Sequence, residues 1–261
     1  VVGHVEWVDF VSVDRYPARG QVVGARAAST RAGGGGVVAA LVLAGLGAEV
    51  DFFCALGRDA DGEAAAAELR DRGLHLEVAW RPPPTRRVIT LLEDTGERSI
   101  ITIGDRLEPR GDDELDWDRL ADAHGVYVTA GDAGAIAKAR AAAALVATPR
   151  AREGLEGDGL TIDALIYSAS DEDESAWARR MEAQTRLMVE TEGSRGGRWW
   201  GAETGTWPPV PLPGPPRDDY GCGDSFAAGF TFGLAERQPV AEAARIGAEC
   251  GARALTIPGG P

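Results

Sequence analysis

The chain contains no asparagine, and Lys138 is its only lysine among 27 basic residues. The first absence excludes N-glycosylation, which requires an Asn-x-Ser/Thr acceptor. The second excludes a phosphate loop of the Gly-x-x-x-x-Gly-Lys-Ser/Thr kind, so any phosphate chemistry must rest on another scaffold. Cysteine is scarce: Cys54, Cys222 and Cys250 are too few and too scattered for a disulfide framework or a four-ligand zinc site. Basic charge is outweighed, with a formal net charge of −14. That argues against a nucleic-acid surface but not against a nucleotide, which is bound locally. No apolar run is long and charge-free enough to span a bilayer, and no signal pattern is visible at Val1. The expectation is a cytoplasmic protein with small-molecule partners and neither nucleic acid nor membrane.

What is present fits an α/β protein. The 261 residues suffice for one large domain or two small ones, and 44% of them are hydrophobic, enough for a sizeable core. Val1 to Val13 reads as a first strand carrying Glu6 and Asp9. Gln21 to Ala32 reads as extended and irregular, and Gly33-Gly34-Gly35-Gly36 then opens an apolar helix, Val37 to Leu46. A strand from Glu49, a helix to about Asp71 and a strand to Trp80 follow. Thr85 to Glu93 and Glu97 to Ile103, joined by Asp94-Thr95-Gly96, alternate as a hairpin that projects from the main sheet. Strands and helices then alternate from Gly125 to Thr191, which predicts a mostly parallel sheet covered by helices. Two helices close the chain, Asp224 to Glu236 and Val240 to about Leu255.

Chemistry concentrates near the end, at Asp218-Asp219-Tyr220-Gly221-Cys222-Gly223-Asp224. A glycine turn opening into a helix makes an anion site, because the first helical N–H groups are unpaired and the dipole is positive there. A carboxylate at that mouth repels a resting phosphate. It makes sense as the base that takes a proton from a hydroxyl attacking the phosphate. Read blandly, Asp224 is a helix cap. Cys222 reads as a small filler or as a thiol at a helix N-terminus. Gly34-x-Gly36-x-x-Ala39 imitates a dinucleotide fingerprint, but no buried strand immediately precedes it. Thr191-Glu192-Gly193-Ser194-Arg195-Gly196-Gly197 ends a strand and reads either as a hairpin turn or as backbone lining a nucleotide.

The order of these motifs resembles the ribokinase-like (PfkB) family of sugar and nucleoside kinases over nearly the whole chain. The resemblance rests on the Gly33-Gly34 pair opening a helix, Ala55-Leu56-Gly57-Arg58-Asp59, the Asp94-to-Arg98 hairpin, Thr191-x-Gly193-x-x-Gly196 and Gly221-Cys222-Gly223-Asp224. It implies a three-layer αβα fold, a central mostly parallel sheet and a small β lid, formed by about 10–32 and 84–104 of a single domain 1–261. It implies ATP-dependent phosphorylation of a hydroxyl on a sugar-like acceptor, with Asp224 as general base and Gly221, Cys222 and Gly223 as anion hole. Asp9, Gly33, Gly34, Val38 and Arg98 then fall on the substrate side, with Arg86, Arg87 and Arg106 as further candidates for a charged substrate. Thr191, Gly193, Gly196 and Asp218 fall on the ATP side. Asp171 or Glu172 would hold Mg²⁺ through water. A nucleoside acceptor and a catalytically silent ATP- or sugar-binding relative stay open. The resemblance leaves room for a monovalent cation and for a homodimer through the lid.

The chain also departs from the family pattern. Asp219 stands for a threonine and Cys222 for an alanine in the loop, Val38 for an asparagine in the Gly-Gly helix, and the Asn-x-x-Glu motif has only Ser168-Ala169-Ser170-Asp171-Glu172 as its nearest match.

Overall fold

A computed structural model describes residues 1–93, 98–157 and 159–261. Its strands are β1 (Glu6–Val13), β2 (Ala27–Gly33), β3 (Asp51–Gly57), β4 (His75–Arg81), β5 (Arg87–Glu93), β6 (Arg98–Ile103), β7 (Val126–Val128), β8 (Leu145–Ala147), β9 (Ala164–Ser168), β10 (Leu187–Thr191), β11 (Gly197–Gly201) and β12 (Gly205–Trp207). The helices are α1 (Gly35–Gly45), α2 (Ala60–Asp71), α3 (Ala133–Ala139), α4 (Arg152–Leu155), α5 (Glu172–Arg180), α6 (Cys222–Ala235) and α7 (Val240–Ala254).

The sheet order is β12-β11-β10-β9-β8-β7 on one side and β3-β4 on the other. Val2 joins them, pairing in parallel with Phe53 of β3 and Val128 of β7. From β7 to β10 the strands are parallel, and β11 and β12 add an antiparallel edge. Alternation sends Tyr127, Val146, Ala164 and Ile166 into one core with α1, α2, α6 and α7. Val126, Val128, Leu145, Ala147 and Leu165 enter the opposite core with α3, α4 and α5. The result is the ribokinase-like αβα layering. Among the described residues no helix is long and apolar enough to cross a membrane.

A second sheet has the order β2-β1-β5-β6. The pair β1 and β5 is parallel, and its other pairs are antiparallel. Two expectations are corrected here. The run Val1 to Val13 is not one strand of one sheet: Val2 lies in the central sheet and Glu6–Val13 in the second. Within the segment expected to be irregular, Ala27–Gly33 is a regular strand along β1. Its first four residues are exposed, so no buried face imposes an apolar alternation on the sequence. Strands β5 and β6 pair as the hairpin reading expects, while its turn Asp94-Thr95-Gly96 lies outside the described residues.

Candidate active site

Parallel strands end together, and ligands of open α/β sheets gather at their carboxyl edge. Here β7 leads to Thr129, β8 to Thr148-Pro149-Arg150, β9 to the Ser168–Asp171 turn and β10 to Thr191. The loop before α6 belongs to the same neighbourhood. It is fixed at several points. Asp218 is buried and accepts the N–H of Tyr220 at 2.9 Å and of Gly259 at 2.8 Å. The hydroxyl of buried Tyr220 accepts the N–H of Gly34 at 2.8 Å, tying the loop to the start of α1, and its ring meets Phe10 edge-on. Gly221 then takes a left-handed turn at φ 71° with Val38 packed beneath it. No side chain caps α6; the Cys222 N–H donates to the Asp219 carbonyl at 3.3 Å, and the helix head keeps the positive end of its dipole.

Asp224 lies in that first turn, and its Oδ1 accepts the hydroxyl proton of Tyr127 at 2.8 Å. A Cβ at Gly35 would lie 2.6 Å from the same oxygen, so only glycine lets the head of α1 come this close. Burial, and the charge of Asp224 next, push the Tyr127 phenol well above its ordinary range, so it stays a donor. His4 lies beneath α1, and its Nε2 accepts the N–H of Gly35 at 3.3 Å. Burial, reinforced by Arg106, Arg150 and Arg86, lowers its pKa to about 3, so the ring is neutral. Glu6 pairs with Arg86 at 3.4 Å, and burial raises its carboxyl.

The proposed site residues do not all converge. Asp224, Gly221, Cys222, Gly223, Gly33 and Gly34 meet where the loop faces α1. Asp9 turns away. On β1 the inward positions are Glu6, Val8 and Phe10, while Asp9 binds Thr30 at 2.6 Å and Arg87 at 2.8 Å. Val38 is apolar packing among Val8, Phe10, Val88 and Tyr220. Arg98 reaches across from β6 to pair with Asp219, so the threonine-to-aspartate departure has a partner in the second sheet. Thr191 stands beside Ser168 in register, and Gly193 and Gly196 turn the chain tightly into β11. Asp171 caps α5 by accepting the Glu174 N–H, and Glu172 is exposed. Glu174 turns back toward Ser168, and burial raises its carboxyl. Tyr127, Tyr220, His4, Arg150 and Glu174 were not legible as site residues. Their only sequence signal is a polar side chain at the end of an apolar strand or beside a glycine turn.

An αβα fold with a second sheet beside a glycine loop and a helix-head aspartate defines a phosphotransferase class. The chain matches the pfkB family carbohydrate kinase pattern over residues 1–152 and 156–260. It belongs to that family and is an ATP-dependent sugar kinase. It is 30% identical to the acarbose 7(IV)-phosphotransferase of Actinoplanes sp., covering 87% of this chain and 81% of that protein. It is 27% identical to an ATP-dependent ribose-1-phosphate kinase of Halopiger xanaduensis, covering 96% and 89%. Arabidopsis thaliana ribokinase complexed with ribose and ATP superposes with a TM-score of 0.75 at 20% identity, covering 98% of this chain and 91% of that one.

Proposed function

We propose that this kinase transfers the γ-phosphoryl group of ATP to a hydroxyl of a sugar-like acceptor, with Asp224 as general base. The observation that carries the reading is Asp224 at the uncapped head of α6, held by Tyr127 and backed by Gly35. As the acceptor oxygen forms its bond to the γ-phosphorus, its proton passes to Asp224 and the bond to ADP breaks. The Gly221-Cys222-Gly223 turn and the positive head of α6 face the charge that spreads over the phosphoryl oxygens. Tyr127 keeps the carboxylate from swinging toward that anion. Positioning supplies much of the acceleration, because the chemistry asks little covalent work of the protein.

The acceptor side is formed by Glu6, the turn at Gly33-Gly34 and the second sheet, which acts as the lid. ATP lies toward Thr191, Gly193 and Gly196. Asp218 serves the loop, since both its oxygens are taken by backbone N–H groups. Among the described residues no group of three or more metal-binding side chains occurs. Mg²⁺ is commonly held by one or two carboxylates with phosphates and water. Asp171 and Glu174 would hold it, and the ion would neutralise charge on the phosphates.

The test is ADP release from Mg-ATP across pentoses, hexoses, ketoses, sugar acids, oligosaccharides and nucleosides, with Asp224→Asn alongside. A general base contributes about 10²–10⁴-fold, so the variant should lose at least about that factor in kcat while still binding ATP. An Asp224→Asn enzyme with near wild-type kcat would end the assignment.

A further inference from the structure

Pro149 starts a short turn after β8, and Arg150 follows it into a cleft. A cavity of about 310 Å³ is lined there by Arg106, Pro149, Arg150, Asp171 and Glu174, among others. Arg150 is open to solvent on the cleft side. Among the described residues its guanidinium has no hydrogen-bond or ion-pair partner. Three of the carboxylates around it have other partners, and Glu153 and Asp173, which also line the cleft, form no ion pair with it among the described residues. Asp224 Oδ1 accepts from Tyr127, Asp171 accepts the Glu174 N–H, and Glu174 faces the Ser168 N–H. Arg106 pairs with Glu108 at 3.4 Å, and its other arm donates to the Arg150 carbonyl at 3.1 Å, steadying the turn.

The position is specific. Thr148, two residues before Arg150, meets the Tyr127 hydroxyl that holds Asp224. Asp171 and Glu174, across the cavity, are the carboxylates on the ATP side. The guanidinium thus shares a cleft with the carboxylates proposed for Mg²⁺ and stands two residues from the Thr148–Tyr127 contact that leads to the base. The charge of Asp224 is the strongest influence on Arg150 and raises its pKa, which places the two side chains in one electrostatic field. Guanidinium matches a phosphoryl group through two parallel N–H bonds, a geometry lysine lacks.

We propose that Arg150 is a catalytic residue that grips the γ-phosphoryl oxygens of ATP during transfer, adding side-chain donors to the backbone N–H groups of the α6 turn. The proposal rests on Asp224 being the base. It goes further in assigning a cation to the transferred group.

The experiment compares wild-type protein with Arg150→Met and Arg150→Lys, using Mg-ATP and Mg-ADP titrations by calorimetry without acceptor. ADP lacks the group that Arg150 touches. Arg150→Met should therefore bind ADP as wild type does and lose about tenfold or more in ATP affinity, the scale of a hydrogen bond to a charged group. Arg150→Lys should recover part of that loss, and it carries the comparison if Arg150→Met fails to fold. With an acceptor in hand, kcat should fall about 10²-fold or more, as when one oxyanion donor is removed. Equal weakening of ATP and ADP, or of neither, overturns the proposal. So does an acceptor KM that rises at unchanged kcat, which would place Arg150 on an anionic group of the acceptor. Failure of the Asp224 reading looks different, because Asp224→Asn would then keep near wild-type kcat whatever the Arg150 variants do.

Discussion

The hydroxyl of Tyr127, at the end of a central strand, donates to Asp224, at the head of a helix 97 residues later in the chain. Tyr127 is fully buried and its phenol is held in the donor form, so it fixes where the carboxylate points. Tyr127→Phe removes one hydrogen bond to a charged group and should lower kcat about tenfold or more with ATP affinity unchanged. Steady-state kinetics beside nucleotide titration checks this, and an unchanged kcat would make the contact structural only.

Glu6 and Asp9 lie on opposite faces of β1 and should respond differently. Glu6→Gln should raise the acceptor KM severalfold, with ATP binding retained. Asp9→Asn should leave acceptor kinetics alone and cost about 0–1 kcal/mol of stability, as expected of a partly exposed ion pair. If Asp9→Asn raises the acceptor KM and Glu6→Gln does not, the face assignment is reversed.

Gly221 has two reasons to be glycine. Its φ is 71°, and a Cβ would sit 2.9 Å from both methyl carbons of Val38. Gly221→Ala should destabilise the protein by about 1–2 kcal/mol from backbone conformation alone, and more where Val38 cannot yield. Val38→Ala in the same chain should return only the contact part. Urea unfolding of the two single variants and the double variant separates these contributions. Additive losses in the double variant would mean that Val38 and Gly221 do not press on each other.

His4 sets a pH dependence of known sign. Its pKa falls from 6.5 in the unfolded reference to about 3 in the fold, chiefly through burial. Between those values the unfolded chain binds a proton that the folded chain refuses, so stability falls as pH drops. The slope approaches roughly 1.4 kcal/mol per pH unit well inside that window and vanishes above it. His4→Gln retains an acceptor for the Gly35 N–H and should flatten the dependence. Equal slopes for wild type and variant between pH 6 and 5 would remove His4 from the account.

The glycine turn that opens α6 was legible because it is local backbone structure. Glycine, glycine and aspartate at a helix start carry their meaning in sequence order. The same holds for the Gly33-Gly34 turn and for the βα alternation behind the central sheet. Face parity was not legible. Glu6 and Asp9 are both acidic on one strand, and which one turns inward depends on where β5 and the Tyr220 loop pack. Tyr127, Tyr220 and Arg150 come from three separate elements, and only the topology brings them together. Glu172 and Glu174 are indistinguishable in sequence, because only the α5 phase set by the Asp171 cap decides which one turns toward Ser168. The pairing of Asp219 with Arg98 was not legible either, because it joins the α6 loop to the second sheet.

The opening segment runs through Val2 in the central sheet and directly into β1 of the second. With the second sheet as the proposed acceptor lid, that continuity limits how acceptor range can be engineered in this chain. The second sheet is not a cassette with two hinged ends, because one of its inner strands runs on from Val2 of the central sheet. A transplant from a relative would have to be spliced within a few residues of His4 and Glu6, both of them buried. Altering specificity residue by residue on β5 and β6 therefore disturbs less than exchanging the sheet whole.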